Sequence, residues 1–329
     1  MKAFVTGGTG FIGGAVVRKL VEAGHQVRVL VRPKADTRQI EGLPVEKVVG
    51  SLEDVESLRR GMEGCDWVFH LAALYSYWGY RWEDFYRVNV EGTRHVLEVA
   101  REMDIRRIVH TSSIAALGVN RNRTPANEDT HTSLEDKIGF YQRSKFLGQQ
   151  VALEFARQGV PVVIVNPSTP VGVGDYKPTP TGQIILDFLN GRMFGYVDTG
   201  LNIVDVEDVA QGHLLAAERG RVGECYILGG ENLTLKQVLD ILAEVSGRPP
   251  VRLRIPHWVA MAWAYVDVTL ASLGLRKVPT ATPEKVQLSR RYEWFDCSKA
   301  MKELGYSYRP AREALRKAVE WYRANGYAP

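Results

Sequence analysis

The stretch Met1-Lys-Ala-Phe-Val-Thr-Gly7-Gly-Thr-Gly10-Phe-Ile-Gly13 decides the fold of this 329-residue chain. A short apolar segment leads straight into three spaced glycines, and the residues that follow show the apolar spacing of a helix up to Gly24. Gly7 and Gly10 permit a tight turn that a ligand can approach closely, and Gly13 lets the helix pack against the strand. Since the N-terminus of a helix presents free amides and a partial positive charge, the stretch predicts a cradle for a phosphate group.

A second strand is predicted over residues 25–31, and it is followed by Arg32-Pro33-Lys34. In strand-helix-strand units that bind dinucleotides, an acidic residue at this point holds the adenosine ribose, whereas an arginine pairs with a 2′-phosphate. The chain has two cations and no carboxylate there, so we expect NADP to be preferred over NAD, which is the other possible cofactor. Arg32 would supply the contact through its bidentate fork. A solvated arginine, or one that stacks on adenine, is the alternative.

Two later strands end in small or hydroxyl-bearing side chains. Residues 65–70 lead into Leu71-Ala72-Ala73, and residues 106–111 lead into Ser112-Ser113. Ligands of open α/β sheets bind outside the carboxyl ends of the strands, so a serine hydroxyl there can bond a substrate oxygen. Ordinary turn serines are the alternative interpretation.

Tyr141 and Lys145 stand four residues apart in a segment of helical character, which places both side chains on one face. A phenol with a pKa of about 10 is a poor acid or base at neutral pH until a nearby ammonium stabilises its phenolate. The pair therefore predicts a general acid/base. The alternative interpretation is two exposed helix residues with no catalytic role.

These motifs follow one another as they do in the extended short-chain dehydrogenase/reductase family, which the chain resembles along its whole length. The family includes dihydroflavonol 4-reductases, 3β-hydroxysteroid dehydrogenases and nucleotide-sugar epimerases. The second half is most similar to a bacterial branch labelled dihydroflavonol-reductase-like or hopanoid-associated sugar epimerase. The motifs that match are Gly7, Gly10 and Gly13; Ala72-Ala73; Asn89-Val-Glu-Gly-Thr93; Ser112-Ser113; Tyr141 with Lys145; and Asn166-Pro167-Ser168.

The motifs and the resemblance imply an α/β fold, a doubly wound parallel Rossmann sheet with a smaller C-terminal α/β substrate lobe. Residues 1–166, with about 201–220, are expected to form the dinucleotide-binding domain. Residues 167–200 and 221–329 are expected to form the substrate-binding lobe. Pro178, Pro180 and Gly182 suggest a loop over the cleft, where a lid would lie.

The resemblance also implies three sets of site residues. The catalytic set is Ser113, Tyr141 and Lys145. The cofactor-binding set is Gly7, Gly10, Phe11, Ile12, Gly13, Arg32, Ser51, Leu52, Ala72, Ala73, Asn89, Tyr141, Lys145, Asn166 and Ser168. The substrate set is Ser112, Tyr77, Trp78 and Asn166.

Tyr77 and Trp78 belong to an aromatic stretch, residues 75–82, that follows the Ala72-Ala73 strand end. This stretch would wall a pocket for an apolar or ring-shaped substrate, or else pack a long loop onto the protein's own surface.

The function implied is hydride transfer between a nicotinamide and a secondary alcohol or ketone, as in dihydroflavonol reductases. Tyr141 would donate a proton, Ser113 would hold the substrate oxygen, and Lys145 would bond the nicotinamide ribose and lower the pKa of Tyr141. The alternatives are a sugar 4-epimerase, as in the hopanoid-associated group, with retained NAD, and a non-catalytic protein that senses dinucleotides.

Two positions depart from the family pattern. Leu201-Asn202-Ile203 stands where many sugar-nucleotide enzymes have an arginine that grips the diphosphate, which weakens the case for a UDP-sugar. Ser51 stands where related chains often have an aspartate, so we expect the adenine contact to be altered.

Composition is that of an ordinary globular enzyme, with 45% hydrophobic and 24% charged residues. A dispersed net charge of +4 argues against nucleic acid as a partner, and three widely spaced cysteines suggest neither disulfides nor a metal site. No leader is visible, so a cytoplasmic protein is expected. The resemblance implies a homodimer. The expected partner is a small-molecule substrate that is lipid-like or sugar-linked.

The apolar stretch 257–273 is predicted to be buried or to form a subunit contact. The alternative is a membrane-facing lip that carries Trp258, Trp263 and Tyr265 beside Arg252 and Arg254.

Overall fold

The computed structural model of the protein describes residues 1–275 and 278–329. The strands are β1 (Lys2–Thr6), β2 (Gln26–Val31), β3 (Val45–Val49), β4 (Trp67–His70), β5 (Arg107–Thr111), β6 (Val162–Pro167), β7 (Thr169–Val171), β8 (Gly195–Tyr196), β9 (Gly200–Asp205), β10 (Cys225–Leu228), β11 (Glu231–Thr234) and β12 (Leu253–Arg254). The α-helices are α1 (Phe11–Glu22), α2 (Val55–Met62), α3 (Trp82–Tyr86), α4 (Gly92–Glu102), α5 (Gly139–Arg157), α6 (Pro180–Leu189), α7 (Val206–Arg219), α8 (Leu235–Ser246), α9 (His257–Ser272), α10 (Pro283–Leu288), α11 (Ser298–Leu304) and α12 (Ala311–Ala324). A π-helical turn, Arg87–Glu91, joins α3 to α4, and 3₁₀ turns lie at Arg38–Ile40 and Ile114–Ala116.

The central feature is a seven-stranded sheet in the order β10-β6-β5-β4-β1-β2-β3. Every neighbouring pair in this sheet is parallel. Parallel neighbours need crossover connections, and the alternation of strands with helices supplies them. The order reverses direction between β1 and β4, which is where open α/β sheets bind ligands. The predicted doubly wound parallel Rossmann sheet is confirmed.

Helices cover both faces of this sheet, so its strands are apolar on both sides. Alternation along β1 sends Ala3 and Val5 into the core beneath α1 and α7, and Phe4 into the core beneath α2 and α4. A strand buried on two faces holds its carboxyl end in a fixed place, which positions the loops that follow it.

A smaller α/β lobe follows the sheet in sequence. It contains a three-stranded sheet in the order β11-β9-β7 and a parallel pair formed by β12 and β8. Helices α6, α8 and α12 enclose its core with side chains such as Leu186, Leu239 and Leu315. Within the described residues, no helix combines the length and the apolar character needed to cross a membrane.

The second half of the chain follows one expectation in part and departs from another. The predicted return segment 201–220 supplies β9 of the small sheet and then α7, which packs beside α1 on the large sheet, and β10 joins that sheet beside β6 just beyond it. The predicted division by residue number remains a prediction, and it includes residues 276 and 277, which lie outside the described residues. Pro180 starts α6 rather than a lid loop, because Thr179 caps this helix and proline suits its first turn.

Candidate active site

The glycine-rich turn after β1 has the geometry of a phosphate cradle. Gly7 adopts φ +74°, and a Cβ there would come 2.5 Å from the backbone nitrogen of Ala72 at the end of β4. A Cβ on Gly13 would collide with the carbonyl oxygen of Gly7. Gly10 caps α1 without a side-chain hydrogen bond, so the first amides of the helix are left for a ligand. These residues therefore fit the pyrophosphate of a dinucleotide.

Arg32 lies at the same edge of the sheet as this turn. Thr6 of β1 is opposite Leu30 of β2, so the chain leaves β2 next to the glycine turn. Arg32 and Lys34 are both exposed there. The next carboxylate along the chain, Asp36, is paired with Arg38, which lowers the pKa of Asp36 to about 2. The position is therefore cationic, as a 2′-phosphate requires.

The three predicted catalytic side chains lie together. Tyr141 stands in the first turn of α5, close enough to Ser113, which follows β5, for the serine side chain to act on the pKa of the phenol. One turn later, Lys145 is buried and its Nζ donates to the carbonyl oxygen of Thr111 at 2.8 Å. Since Ser113 also accepts from the amide of Ala115 at 3.1 Å, its hydroxyl is held in place.

The pKa of Tyr141 departs from the expected direction. Removal of the phenol from water raises its pKa to about 12, although the hydrogen bond from Ser113 opposes this rise. Burial also lowers the pKa of Lys145 to about 8. Lys145 is bonded to Thr111 here, and the predicted lowering of the Tyr141 pKa by Lys145 stays a prediction for the cofactor-bound enzyme.

Several polar atoms beside the catalytic group are shielded from solvent and lack hydrogen-bond partners among the described residues. They are the hydroxyl oxygens of Ser112 and Ser168 and the Oδ1 of Asn166. A buried polar atom without a partner costs free energy, so such a cluster marks a place where a polar ligand completes the bonding. The cluster fits the amide and ribose of a nicotinamide nucleotide, which supports the assignment of these residues.

The side-chain amide nitrogen of Asn166 already donates hydrogen bonds within the protein. Its Nδ2 donates to the carbonyl oxygen of Ser113 at 2.9 Å and to Oε1 of Gln149 at 2.7 Å. Asn166 therefore holds the backbone of Ser113 as well as presenting its free Oδ1. Gln149 was not singled out by the sequence analysis.

Asn89 acts as a clamp between two segments of the site. It lies in the π-helical turn, and its amide bonds both the nitrogen and the carbonyl oxygen of Leu74, at 2.7 and 3.0 Å. Its Nδ2 also donates to Ser144 of α5 at 2.9 Å. Because the side chain is buried and satisfied by protein, it positions the residues around the cofactor site. Direct contact with the cofactor remains a prediction.

A buried histidine that the sequence analysis missed continues this network. His70, the last residue of β4, bonds Thr6 through Nδ1 at 2.7 Å and Thr93 through Nε2 at 3.1 Å. The hydroxyl of Thr93 donates to the carbonyl oxygen of Asn89 at 2.8 Å. Burial lowers the pKa of His70 to about 3, so the ring is neutral. A histidine at a strand end flanked by Ala72-Ala73 is the signal that could have indicated it.

Aromatic rings surround the Tyr141 side chain. The ring centroid of Tyr75 lies 4.5 Å from that of Tyr141, and the centroid of Tyr77 lies 6.2 Å away. A cavity of about 410 Å³ opens here, lined by Ser76, Tyr77, Trp78, Gly79, Tyr80, Arg81, Phe85, Phe140, Tyr141 and Glu284. Tyr77 and Trp78 thus line the cavity beside Tyr141, and their contact with a substrate remains a prediction. Tyr75 is a neighbour that the sequence analysis did not select.

The remaining predicted cofactor residues lie along the same edge. Phe11 and Ile12 form the first turn of α1 and pack against the core. The Ser51 hydroxyl accepts from the amide of Glu53 at 3.3 Å, and Leu52 is buried against Gly92. Ala73 is exposed just after β4.

Two carboxyl groups of the smaller lobe reach the site. Glu284 of α10 lines the aromatic cavity, and its carboxylate abuts Gly139 at the start of α5. Burial raises the pKa of Glu284 to about 7, against the opposing charge of Lys285. Glu293 raises the pKa of Tyr141 through its charge, and its own pKa is raised by burial. Neither residue was indicated by a motif.

In residues 1–275 and 278–329, no set of three or more His, Cys, Asp or Glu side chains is arranged to hold a metal ion. Cys65, Cys225 and Cys297 are free thiols.

Known proteins resemble the chain in sequence and in structure. A profile of the NAD dependent epimerase/dehydratase family matches residues 3–229. A protein of Synechocystis sp. with a provisional dihydroflavonol 4-reductase name is 45% identical over 98% of this chain and 95% of its own. A ketoreductase of Stigmatella aurantiaca, named for 4-hydroxy-2-methyl-3-oxo-4-farnesyl-3,4-dihydroquinoline-1-oxide, is 34% identical over 97% of this chain and 96% of its own. The crystal structure of gox2253 is 44% identical and covers 99% of both chains at a TM-score of 0.89.

Proposed function

The chain belongs to the NAD dependent epimerase/dehydratase family and is an NAD(P)-dependent oxidoreductase of the extended short-chain dehydrogenase type, and on this basis we propose that it is an NADP(H)-preferring reductase of apolar ketones. The observation that carries the proposal is the placement of Ser113 and Tyr141 next to each other at the edge of an aromatic cavity. The proposed substrate is a ring-bearing or lipid-like ketone.

The protonation of Tyr141 supports the reductive direction. With a pKa raised to about 12, its phenol keeps the proton at neutral pH and can act as an acid. A bound dihydronicotinamide would supply the hydride that reaches the carbonyl carbon. Ser113 would donate a hydrogen bond to the carbonyl oxygen, and Tyr141 would transfer its proton to that oxygen as negative charge develops there. Lys145 would then neutralise the phenolate that remains.

The cavity walls support an apolar substrate. Tyr77, Trp78, Phe85 and Phe140 offer ring faces, while Glu284 and Arg81 supply the charged groups. The farnesyl group in the name of the Stigmatella ketoreductase points the same way. Both observations favour a substrate with a large hydrocarbon portion.

Cofactor titration is the experiment that tests the proposal. Nicotinamide fluorescence would be followed with NADPH and with NADH, after any co-purified cofactor has been removed. We expect the native protein to bind NADPH more tightly. Arg32→Ser should weaken NADPH binding about tenfold or more and leave NADH binding unchanged, since only NADPH carries the 2′-phosphate.

Arg106→Ser is the matched control for that experiment. Arg106 precedes β5, so it lies at the amino end of that strand, away from the glycine turn at the carboxyl end of β1. Its side chain is 73% exposed. Its replacement should change neither affinity. Equal affinity of the native protein for both cofactors, or tightly retained NAD, would contradict the NADP preference and remove Arg32 from its proposed role.

The epimerase alternative is disfavoured by Asn202. This side chain is fully buried and bonds Gly230, Asn232 and the Phe295 carbonyl within the protein, so it offers no group to a sugar diphosphate. The non-catalytic alternative is disfavoured by the assembled Ser113, Tyr141 and Lys145. A homodimer and a cytoplasmic location remain predictions from the sequence.

A further inference from the structure

Helix α9 exposes a broad apolar face on the surface of the smaller lobe. The α9 face is defined here as Trp258, Val259, Trp263, Tyr265, Val266 and Leu273. Trp258 is 72% exposed, Tyr265 61% and Leu273 69%. Their spacing of seven and eight residues places them along one side of the helix. Large contiguous apolar patches of this kind mark interaction sites.

One carboxylate of the same helix is turned inward and held there, while Thr269 and Ser272 are exposed. Asp267 is fully buried and accepts hydrogen bonds from the amide and hydroxyl of Thr280, at 2.7 and 2.6 Å, and from the amide of Ala281 at 2.9 Å. Rolling the helix to bury its apolar side would break these bonds around a carboxylate, which is costly. Burial of this stretch within the chain, one half of the preferred expectation, is therefore wrong, because Asp267 holds the apolar face outward. The subunit contact, its other half, remains a prediction.

Exposed cations and further apolar side chains lie next to the α9 face. Arg252 and Arg254 are exposed in the segment that leads into the helix, and Arg254 is paired with Asp198 at 2.8 Å. The pairing of β12 with β8 brings Leu253 opposite Gly195, beside Phe194, which is 77% exposed. Aromatic and aliphatic side chains flanked by arginines match the interface of a membrane with anionic headgroups.

We propose that the α9 face docks the protein onto the surface of an anionic phospholipid bilayer. A second copy of the chain fits this face less well. A two-fold contact places the same patch on both sides of the interface, and the α9 face carries no carboxylate that a second copy could offer to Arg252. An anionic headgroup layer instead offers each arginine an opposite charge.

The α9 face is also linked to the substrate cavity. Nε2 of His257, the first residue of α9, lies 3.1 Å from the carbonyl oxygen of Ser289, which follows α10. Helix α10 carries Glu284, which lines the cavity beside Tyr141. A docked enzyme would therefore hold its cavity wall one helix away from the lipid. This inference goes beyond the proposed function, and it does not depend on which ketone is reduced.

Vesicle flotation of the full chain tests the inference. Vesicles of phosphatidylcholine mixed with phosphatidylglycerol should carry the native protein upward, and vesicles of phosphatidylcholine alone should carry much less. The double variant Trp258→Ser/Tyr265→Ser should reduce binding to the anionic vesicles about tenfold or more. Arg252→Gln should weaken binding to the anionic vesicles only, and added salt should weaken it further.

Val222→Ser/Tyr86→Ser is the matched control, since both side chains are exposed hydrophobic residues outside the smaller lobe's α9 face. It should float like the native protein. Failure of the native protein to float with anionic vesicles would overturn the inference, as would normal flotation of Trp258→Ser/Tyr265→Ser. Light scattering that showed a dimer lost in that double variant would assign the face to a second copy instead.

NADPH binding and ketone turnover, measured on the same samples, separate this inference from the proposed function. Unchanged NADPH binding by the α9 variants shows that they are folded. If the protein floats with the vesicles but does not oxidise NADPH in the presence of ketones, the reductase proposal is contradicted and the docking inference stands. If it reduces ketones but does not float, the docking inference is contradicted and the reductase proposal stands.

Discussion

At the scale of single residues, environment decides what a motif can do. The spacing of Tyr141 and Lys145 places them together, yet the pKa of the phenol is raised to about 12 because it is withdrawn from water. The nearby Ser113 hydroxyl, and not the ammonium, is the group that opposes this rise. A phenol that keeps its proton is in the form that can donate to an alkoxide, which is the more basic of the two groups.

Tyr141→Phe removes the proposed proton donor while keeping the ring. We expect NADPH-dependent ketone reduction to fall by about a hundredfold to ten-thousandfold, the usual contribution of a positioned acid. NADPH binding, followed by fluorescence, should be unchanged. The rate is measured from the loss of NADPH absorbance under saturating cofactor.

Tyr75→Phe is the paired control, since Tyr75 packs its ring against that of Tyr141 at a centroid distance of 4.5 Å. Loss of this hydroxyl should change the rate only slightly. Similar large losses in both variants would show that the effect is not specific to the Tyr141 hydroxyl and would contradict its role as the proton donor.

At the scale of elements, the two lobes meet where α10 approaches the start of α5. Gly139 has φ +72°, and a Cβ there would collide with the carboxylate of Glu284. A glycine at this position therefore permits the left-handed backbone conformation and leaves room for the carboxylate of Glu284. The wall of the cavity is therefore made jointly by a helix of the sheet domain and a helix of the smaller lobe.

Glu284→Gln is predicted to stabilise the protein in a pH-dependent way. The folded pKa of Glu284 is raised to about 7 from the usual 4.5, so its contribution to stability is complete below pH 4.5 and is lost as the pH rises towards 7. Urea unfolding should show a gain of about 1 kcal/mol in the variant above neutral pH, allowing for partial solvent exposure, and little change near pH 4.

Glu83→Gln, on the exposed first turn of α3, provides the comparison and should show no such pH-dependent gain. If Glu284→Gln gave the same gain at acid and at alkaline pH, the titration of this carboxyl would not be the cause.

At the scale of the whole molecule, three buried histidines make the fold sensitive to acid. Burial lowers the pKa of His70 to about 3 and that of His213 to about 4, and it lowers that of His110 well below the usual range. Both ring nitrogens of His110 lack hydrogen-bond partners among the described residues. All three rings therefore stay neutral in the folded protein and gain protons on unfolding.

The free energy of unfolding should therefore fall as the pH drops below about 6.5, where the unfolded histidines take up protons. Each histidine contributes a slope of about 1.4 kcal/mol per pH unit until its folded pKa is reached. Urea denaturation at a series of pH values measures this slope. His213→Asn should make it shallower, and His131→Asn, at an exposed position, should not.

Much of this molecule could be predicted because the relevant signals are local. The glycine turn, the serines at the end of β5 and the Tyr141–Lys145 spacing each lie within one short segment. Pro180 misled the analysis, since a proline after Thr179 starts a helix as readily as it marks a loop. Tyr75 and Glu284 could not be assigned, because their place depends on how loops and the smaller lobe pack around α5.

The order of strands in the large sheet has a consequence for biosynthesis. Strand β1 is translated first but lies in the interior of the sheet, and β10, at residues 225–228, covers the outer edge of β6. A nascent chain that has emerged only as far as α7 presents the apolar β6 edge with its backbone groups unpaired. The growing polypeptide is thus open to chaperone capture or intermolecular pairing until this late strand leaves the ribosome.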